Sequence, residues 1–382
     1  MEGRDLAPAF DLQVNGINLG PDIMRAVTSV EYESSDGIAD LLKIKIANVD
    51  AKLSSSKLWT AGNEVSLFGG YGDRTEFIGG VQIVEPKFFF PADAMPTIEI
   101  VGYTRDHAMM DDGPAKLTDG KTRKQKNKRT WRNAQIREIL EEKANVYGMD
   151  LDADDFSIGK SVTQKTGMSD YDLVKGLANL TGFVFWVDHD PLGTATLHFK
   201  KPESLPSYQD KAYRFRYSTS SLSTLLSFSP TYKFRGYRTA LKVIVRNPLT
   251  GKTFDEEVTD DSSEEIDTVF AGDVDDEVEG PLPPPTFAKI IVGEYSVTTM
   301  TRKAFSNAAE VKLWARNWFR RQRDNFVVGR GEVIGVSDLR ARQTHEILGL
   351  GRLFDDQYEF VRVRHKFADS GYRCEFSARK VL

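Results

Sequence analysis

The stretch Gln164–Phe199, QKTGMSDYDLVKGLANLTGFVFWVDHDPLGTATLHF, decides how the rest of the chain is read. Ser169 and Asp172 form an S-x-x-D capping box, which satisfies orphan amides at a helix start. Leu173, Val174, Leu177, Ala178 and Leu180 then share one helical face, and Gly182 supplies a left-handed stop. Phe183 to Val187 reads as a buried strand and Asp188 to Gly193 as a turn. Ala195, Leu197 and Phe199 alternate with polar residues on a returning strand. The unit is a capped helix followed by a hairpin. Nothing in it has the residue types of a catalytic centre, so it locates a fold and not an activity.

On its N-terminal side the chain is β-rich. Phe10, Leu12 and Val14 alternate, and Asn15-Gly16 is a type I′ hairpin signal. A second hairpin is expected around Ser34–Gly37, leading to Leu42, Ile44 and Ile46. Short strands follow at Glu64–Phe68, Glu76–Val84 and Thr97–Tyr103, a spacing that suggests a barrel or sandwich. Between these strands and the opening stretch lies a basic run, KTRKQKNKRTWR at 121–132, with Lys121, Arg123, Lys124, Lys126, Lys128 and Arg129 and almost no apolar residue before Trp131. It reads as a mobile loop. A helix is expected from about Trp131 to Tyr147, with Ile136, Ile139 and Leu140 inward, and a short strand near Met149–Leu151.

Strands return at Tyr213–Tyr217, Ser227–Phe234 and Ala240–Asn247. The segment 254–285 is then acidic, including Asp260, Asp261, Glu264 and Glu265, and ends in a proline run. Such a composition cannot bury enough apolar surface to order itself, so it reads as a long exposed loop. After a strand at Ile290–Thr299, a helix is expected at 307–323, with Val311, Ala315, Trp318 and Phe319 on its apolar face. The chain closes with strands near Phe326–Val336, Glu346–Leu350, Tyr358–Phe367 and Tyr372–Ala378. The order predicts a first β-barrel domain at 5–112, an α/β insert at 113–208 and a second β-barrel domain at 209–382.

Composition bounds the function. A chain of 382 residues is too long for one ordinary core. No apolar run approaches the roughly 18–20 residues needed to span a bilayer, and the first residues, MEGRDLAPAF, lack the pattern of a secretory signal. The only cysteine, Cys374, leaves no internal disulfide and no cysteine-based zinc site. A net charge of −5 argues against a general nucleic-acid coat.

No catalytic pattern stands out in the sequence. Gly69-Gly70-Tyr71-Gly72 precedes a strand and not a helix, and no Gly-Lys-Ser/Thr follows, so a hairpin turn is favoured over a phosphate loop. The histidines at 107, 189, 198, 345 and 365 are scattered without the i, i+4 spacing of a helical zinc site. No G-x-S-x-G elbow occurs. Paired carboxylates of the glycosidase kind are harder to dismiss, but the acids cluster in the 255–279 segment, where a flexible loop defeats the geometry such chemistry requires. The basic run has only Trp131 for stacking, so a solvated or protein-contacting loop is favoured over nucleic-acid contact. The acidic segment, in the same chain or a neighbour, is one candidate to meet it.

Four places carry a family resemblance. Phe10–Leu19 has an F-x-L-x-V-N-G-x-x-L pattern containing Asn15 and Gly16, followed by Val27–Tyr32, Asp36-Gly37 and Ala39-Asp40. Gly62–Val65, Gly69-Gly70-Tyr71 and Phe77–Gly79 form a G-x-x-V…GY…F-x-G pattern. The opening stretch supplies Ser169-Asp170, Leu173, Leu177-Ala178 and Gly182. Ala308, Ala315-Arg316, Tyr358, His365 and Gly371-Tyr372 complete the set. In this order they resemble the phage late control protein D family, the baseplate hub proteins of contractile tails, related to the hub part of type VI secretion spikes.

The resemblance implies a mainly β fold with an α/β insert, in which two related β-barrel domains per subunit form a homotrimer with a pseudo-sixfold ring. It implies a trimeric adaptor joining a hexameric tail tube to a trimeric central spike among other baseplate proteins. DNA would be only transient cargo in the channel, with an acidic or neutral lining expected, and no cofactor, metal or catalytic residue is needed. Because the chain stops at Leu382, the spike is expected to be a separate polypeptide. The location implied is the virion tail, assembled in the bacterial cytoplasm. A tail-tip cell-wall hydrolase and a monomeric host-surface binding module are the alternatives.

Overall fold

The computed structural model describes residues 7–110, 129–132, 135–156, 162–201, 212–218, 223–233, 238, 240–246, 253–259, 297–302, 308–351, 354–368 and 371–381. The first β-rich part contains β1 (Pro8–Val14), β2 (Ile17–Asn18), β3 (Val27–Ser35), β4 (Leu41–Ala47), β5 (Glu64–Tyr71), β6 (Arg74–Phe89) and β7 (Thr97–Tyr103), with short helices α1 (Pro21–Ala26) and α2 (His107–Met110). The insert follows with β8 (Arg129–Trp131), α3 (Ile136–Tyr147), β9 (Asp150–Ala153), β10 (Val162–Gln164), α4 (Asp170–Thr181), β11 (Val184–His189) and β12 (Ala195–Lys200). The last part holds β13 (Arg214–Arg216), β14 (Leu225–Tyr232), β15 (Ala240–Arg246), β16 (Thr253–Thr259), β17 (Val297–Arg302), α5 (Ala308–Asp324), β18 (Val327–Ile334), β19 (Gln343–Leu348), β20 (Asp356–Ala368) and β21 (Gly371–Lys380).

The fold is mainly β, as its alternating patterns indicate. The helix read from Ser169 to Gly182 forms α4: Ser169 Oγ accepts from Asp172 N at 2.9 Å, and Gly182 closes the helix at φ 78°. Leu173, Val174, Leu177 and Ala178 are buried, each of the larger ones contributing about 1.5–3 kcal/mol of apolar transfer. β11 and β12 pair as the expected hairpin, with Asp190 Oδ1 accepting from Leu192 N and Thr194 N to shape the turn.

Some boundaries move. Arg129–Trp131, placed in the basic loop by composition, forms strand β8 against β10, and helix α3 starts only at Ile136. Cross-strand pairing and the packing of Trp131 on the insert core override the local lack of apolar residues. Likewise Thr253–Thr259, whose Asp255, Glu256 and Glu257 begin the acidic segment, is strand β16, paired with β15. The rest of that segment, with Asp260, Asp261, Glu264 and Glu265, lies outside the described residues, as do Lys121, Arg123, Lys124, Lys126 and Lys128.

Among the described residues neither β-rich part closes into a barrel of its own. Their strands join one thirteen-stranded sheet, ordered β14-β18-β21-β20-β3-β4-β7-β6-β5-β1-β2, with β13 and β19 attached to β20. The junction is the antiparallel pairing of β3 with β20, Ser35 opposite Arg362 through Val30 opposite Phe367. A single apolar cluster runs beneath it, from Leu12, Val30 and Ile44 to Phe360, Val363 and Phe376. The insert has its own cluster. The small β16-β15-β17 sheet packs with α5, and Leu180 at the end of α4 packs against that third cluster. Asn317 of α5 donates to the Leu180 carbonyl at 3.3 Å.

Candidate functional site

The fold brings several of the positions singled out in the sequence together. Asn15 and Gly16 have φ of 50° and 75°, the left-handed pair of a tight hairpin turn. The Asn15 side chain ties that turn to the next strand, accepting from Glu64 N at 2.9 Å and donating to Asn63 Oδ1 at 3.2 Å. At Gly70 a Cβ would sit 2.0 Å from the Arg74 carbonyl oxygen, so the β5–β6 hairpin closes only around glycine. Tyr71 and Tyr372, 301 positions apart, meet with ring centroids 5.7 Å apart. Tyr372 also stacks on Phe367 at 4.0 Å, and Phe367 lies 5.4 Å from Phe10, so aromatic rings join the first strand to the last. Gly371, at φ 101°, makes the β20–β21 turn that delivers Tyr372 to this seam.

Ser169, Asp170, Leu173 and Gly182 belong to the insert. Asp170 is fully buried, not merely part of a capped helix start. Its carboxylate receives Tyr147 Oη at 2.8 Å, Gln164 Nε2 at 2.8 Å and the buried Lys143 ammonium at 3.0 Å. Lys143 stands on the inward face of α3 with Ile139, Leu140 and Ala144. A lysine on an apolar stripe was the one local signal for this node. Arg129 pairs with Glu142 and lies over the Trp131 ring at 4.8 Å, so it is a structural cation of the insert.

A joint that sequence reasoning missed lies in residues 336–342, between β18 and β19. Arg340 donates to the Ser337 and Leu339 carbonyls, each at 2.7 Å, and to the Phe77 carbonyl at 3.1 Å. Arg342, at φ 71°, donates to the Ser35 carbonyl at 2.7 Å and lies over the Trp186 ring of the insert at 5.0 Å. One loop therefore holds both β halves and the insert. Beside it Asp40 accepts from Tyr32 Oη at 2.9 Å and Ser35 N at 3.1 Å. Burial raises the Asp40 carboxyl above its ordinary value, against the opposing pull of Arg342. Burial also raises Asp106 to about 7 despite its hydrogen bond from Thr104. The insert is fastened to the same region by the Tyr171 hydroxyl, which donates to the Gly37 carbonyl.

His365 sits fully buried in this joint. Its Nε2 donates to the Leu339 carbonyl at 2.7 Å, which leaves Nδ1 to accept from the Tyr372 hydroxyl at 2.8 Å. Burial, with the nearby Arg340 guanidinium, lowers its pKa to about 3, so it is a neutral structural imidazole. The Cys374 thiol, 3.5 Å from the ring, is pushed up to about 12 by burial and is not a nucleophile at neutral pH. Among the described residues no group of three His, Cys, Asp or Glu side chains is placed to hold a metal ion. No described helix is long and apolar enough to cross a membrane.

The exposed face of the joined sheet is charged in rows. Glu332, Glu375, Arg364 and Glu33 stand opposite one another across β18, β21, β20 and β3. In an adjacent row Arg373, Lys366, Glu31 and Lys43 cross β21, β20, β3 and β4. Arg362 and Arg364 reach the Glu33 carboxylate at 2.5 and 2.8 Å. Burial pushes Glu33 up, but the two guanidinium hydrogen bonds outweigh it and hold the carboxylate below its ordinary value. A cavity of about 390 Å³ opens on this face between Ser227, Arg330, Arg362, Arg364 and Glu375. Cations and anions are mixed in both rows, so the face is neither a basic track nor an acidic one.

The fold is similar to that of solved phage tail proteins and of a type VI secretion component. A tail protein from Neisseria meningitidis superposes with TM-score 0.66 at 11% identity, over 98% of this chain and 96% of its own. The 43 kDa tail protein of prophage MuSo2 from Shewanella oneidensis gives 0.65 at 11% identity, over 97% and 98%. An Escherichia coli type VI secretion component, described as structurally similar to the bacteriophage T4 tail proteins gp27 and gp5, gives 0.57 at 12% identity, over 97% of this chain and 77% of its own. No protein-family model and no curated protein matches the sequence.

Proposed function

We propose that this chain is the structural hub of a phage or phage-like contractile tail. Three copies join the hexameric tail tube to the trimeric central spike and leave a channel for DNA. The observation that carries the reading is the end-to-end agreement with two tail proteins of nearly the same length, insert and both β halves included. The division into units at 5–112, 113–208 and 209–382 follows, with each β half completing its barrel only when copies assemble. The joint at Arg340 and Arg342 suits such a part, because its contacts tie both β halves to the insert. The polar face of the sheet, where Arg, Lys and Glu are mixed, suits a channel lining that neither retains nor repels a phosphate backbone strongly. Function is then geometric and non-enzymatic, and its place is the virion tail.

The test is the mass of the 42.9 kDa chain in solution by light scattering, alone and with candidate tube and spike proteins. A threefold mass with a ring in negative-stain images is the expected outcome. A chain that stays monomeric in every mixture removes the reading, and release of soluble fragments from purified peptidoglycan would replace it with a hydrolase.

A further inference from the structure

The charged face of the joined sheet has a hollow over Ser377. This residue, on β21, stands directly opposite Arg330 of β18 on one side and Arg362 of β20 on the other. The roots of the two arginines are therefore two strand spacings apart, about 9.5 Å. The short serine between them leaves the space above it open, and the cavity of about 390 Å³ lies there. Its lining extends to Ser227 on β14, the strand beyond β18.

Two β-bulges build this lining. On β20 Tyr358 and Phe360 are buried, so regular alternation would turn residue 362 to the core as well. The pairing slips by one residue between Phe360 and Arg362, and Arg362 emerges on the outer face while Val363 is buried. β14 does the same. Leu225 is buried, the pairing slips between Leu225 and Ser227, and Ser227 comes out opposite Glu332. A bulge gives up regular ladder pairing to re-aim a side chain, and here both bulges aim a polar group at one cavity.

The charges around the hollow are unevenly satisfied. Glu332 is met by Arg373 at 3.3 Å, and Glu375 by Arg364 at 3.4 Å and Lys366 at 3.7 Å. Arg362 reaches Glu33 through one terminal nitrogen and keeps its other N–H donors. Arg330 is exposed and has no ion pair or hydrogen bond among the described residues, and the hydroxyls of Ser227 and Ser377 have none either. Every carboxylate of the lining is claimed, and what is left over is donor capacity.

That surplus suits one oxyanion and not a row of them. Glu332 and Glu375, opposite each other in the adjoining row, lie about 6.7 Å along the strands. A nucleic-acid backbone crossing the hollow would bring its next phosphates against these carboxylates. A peptide carries its charges singly, and a basic residue beside its acid would face Glu332 and Glu375 favourably.

We infer that the hollow over Ser377 receives one aspartate or glutamate carboxylate from an exposed segment of a partner protein. Arg330 and Arg362 hold it from opposite sides, the Ser377 and Ser227 hydroxyls donate to it, and a neighbouring Lys or Arg of the partner meets Glu332 and Glu375. The hollow lies within one chain, so this inference stands apart from the ring reading.

The experiment is titration calorimetry of the full chain with capped peptides of Gly and Ser around a central Lys-Glu pair. The Lys-Glu peptide is expected to bind, and its Lys-Gln counterpart to bind about tenfold more weakly, through loss of the charge-assisted hydrogen bonds. Arg330→Gln, an exposed change that leaves the thermal midpoint in place, is expected to weaken the Lys-Glu peptide by about the same factor. Ser377→Leu fills the hollow without altering charge and is expected to abolish binding. No binding of the Lys-Glu peptide, equal binding of the Lys-Gln peptide, unchanged binding by Arg330→Gln, or tighter binding of a short oligothymidylate overturns the inference. None of these outcomes alters the ring reading, which the solution mass tests.

Discussion

Replacing Asp170 with alanine tests the buried node of the insert. The carboxylate is fully buried and receives Lys143, Gln164 and Tyr147, while the Lys143 side chain is itself only 3% exposed. Removing the anion leaves the ammonium with Gln164 Oε1 at 3.2 Å and Glu142 at 3.8 Å, in a site with little water. Breaking a buried pair from one side costs about 3–5 kcal/mol, most of it the desolvation of the stranded partner. Asp170→Asn keeps acceptor and donor capacity and loses only charge, so it falls between. Lys143→Met with Asp170→Leu removes both charges and is expected to regain most of the loss, since apolar replacements of buried pairs are often neutral. Urea unfolding followed by tryptophan fluorescence, with Trp131 and Trp186 in the insert, reads the shift in midpoint. A double-mutant cycle isolates the coupling. A single-variant loss below about 1 kcal/mol, or strictly additive effects, would refute the stranded-charge argument.

The remaining predictions concern pH and packing. His365 has a folded pKa of about 3, below its unfolded value, so its contribution is complete above pH 6.5 and is lost as pH falls toward 3. His365→Gln is expected to flatten that acid loss, by about 3 kcal/mol at pH 4, in denaturant midpoints taken from pH 4 to 7. Asp106 acts in the opposite sense: its folded pKa of about 7 exceeds the unfolded value, so stability falls as pH rises from about 4 to 7. Asp106→Asn should remove this fall, seen as a gain in thermal midpoint at pH 8 relative to pH 5. At Gly79 a Cβ would stand 2.2 Å from the Tyr32 ring, so Gly79→Ala should lose about 1–3 kcal/mol. Gly176→Ala, on the open face of α4 with nothing within 4 Å, should gain about 0.5–1 kcal/mol in the same unfolding assay.

The sequence was most informative where contacts are local. The S-x-x-D cap, the Leu173–Leu177 stripe and Gly182 produce α4 because a cap, a face and a stop act within a few residues of one another. Asn15-Gly16 makes its turn for the same reason. Composition misjudged Arg129–Trp131 and Thr253–Thr259, since a strand needs only a partner's backbone, and their partners β10 and β15 outweigh local polarity. The meetings between distant positions were not legible: nothing local places Tyr71 against Tyr372, or marks Arg340 and Arg342 among many arginines as the two that lock the halves together.

By itself, then, the sequence determined the β-rich, insert, β-rich order, the capped helix and hairpin, and the glycine turns, all set by dihedral preference and short-range periodicity. Only the tertiary structure decided that β3 pairs with β20 to make one sheet of two halves, and that Lys143 enters the core to meet Asp170. Those outcomes depend on backbone hydrogen bonds and burial between residues hundreds of positions apart. A β-strand's own side chains say which face it buries but not which strand lies beside it.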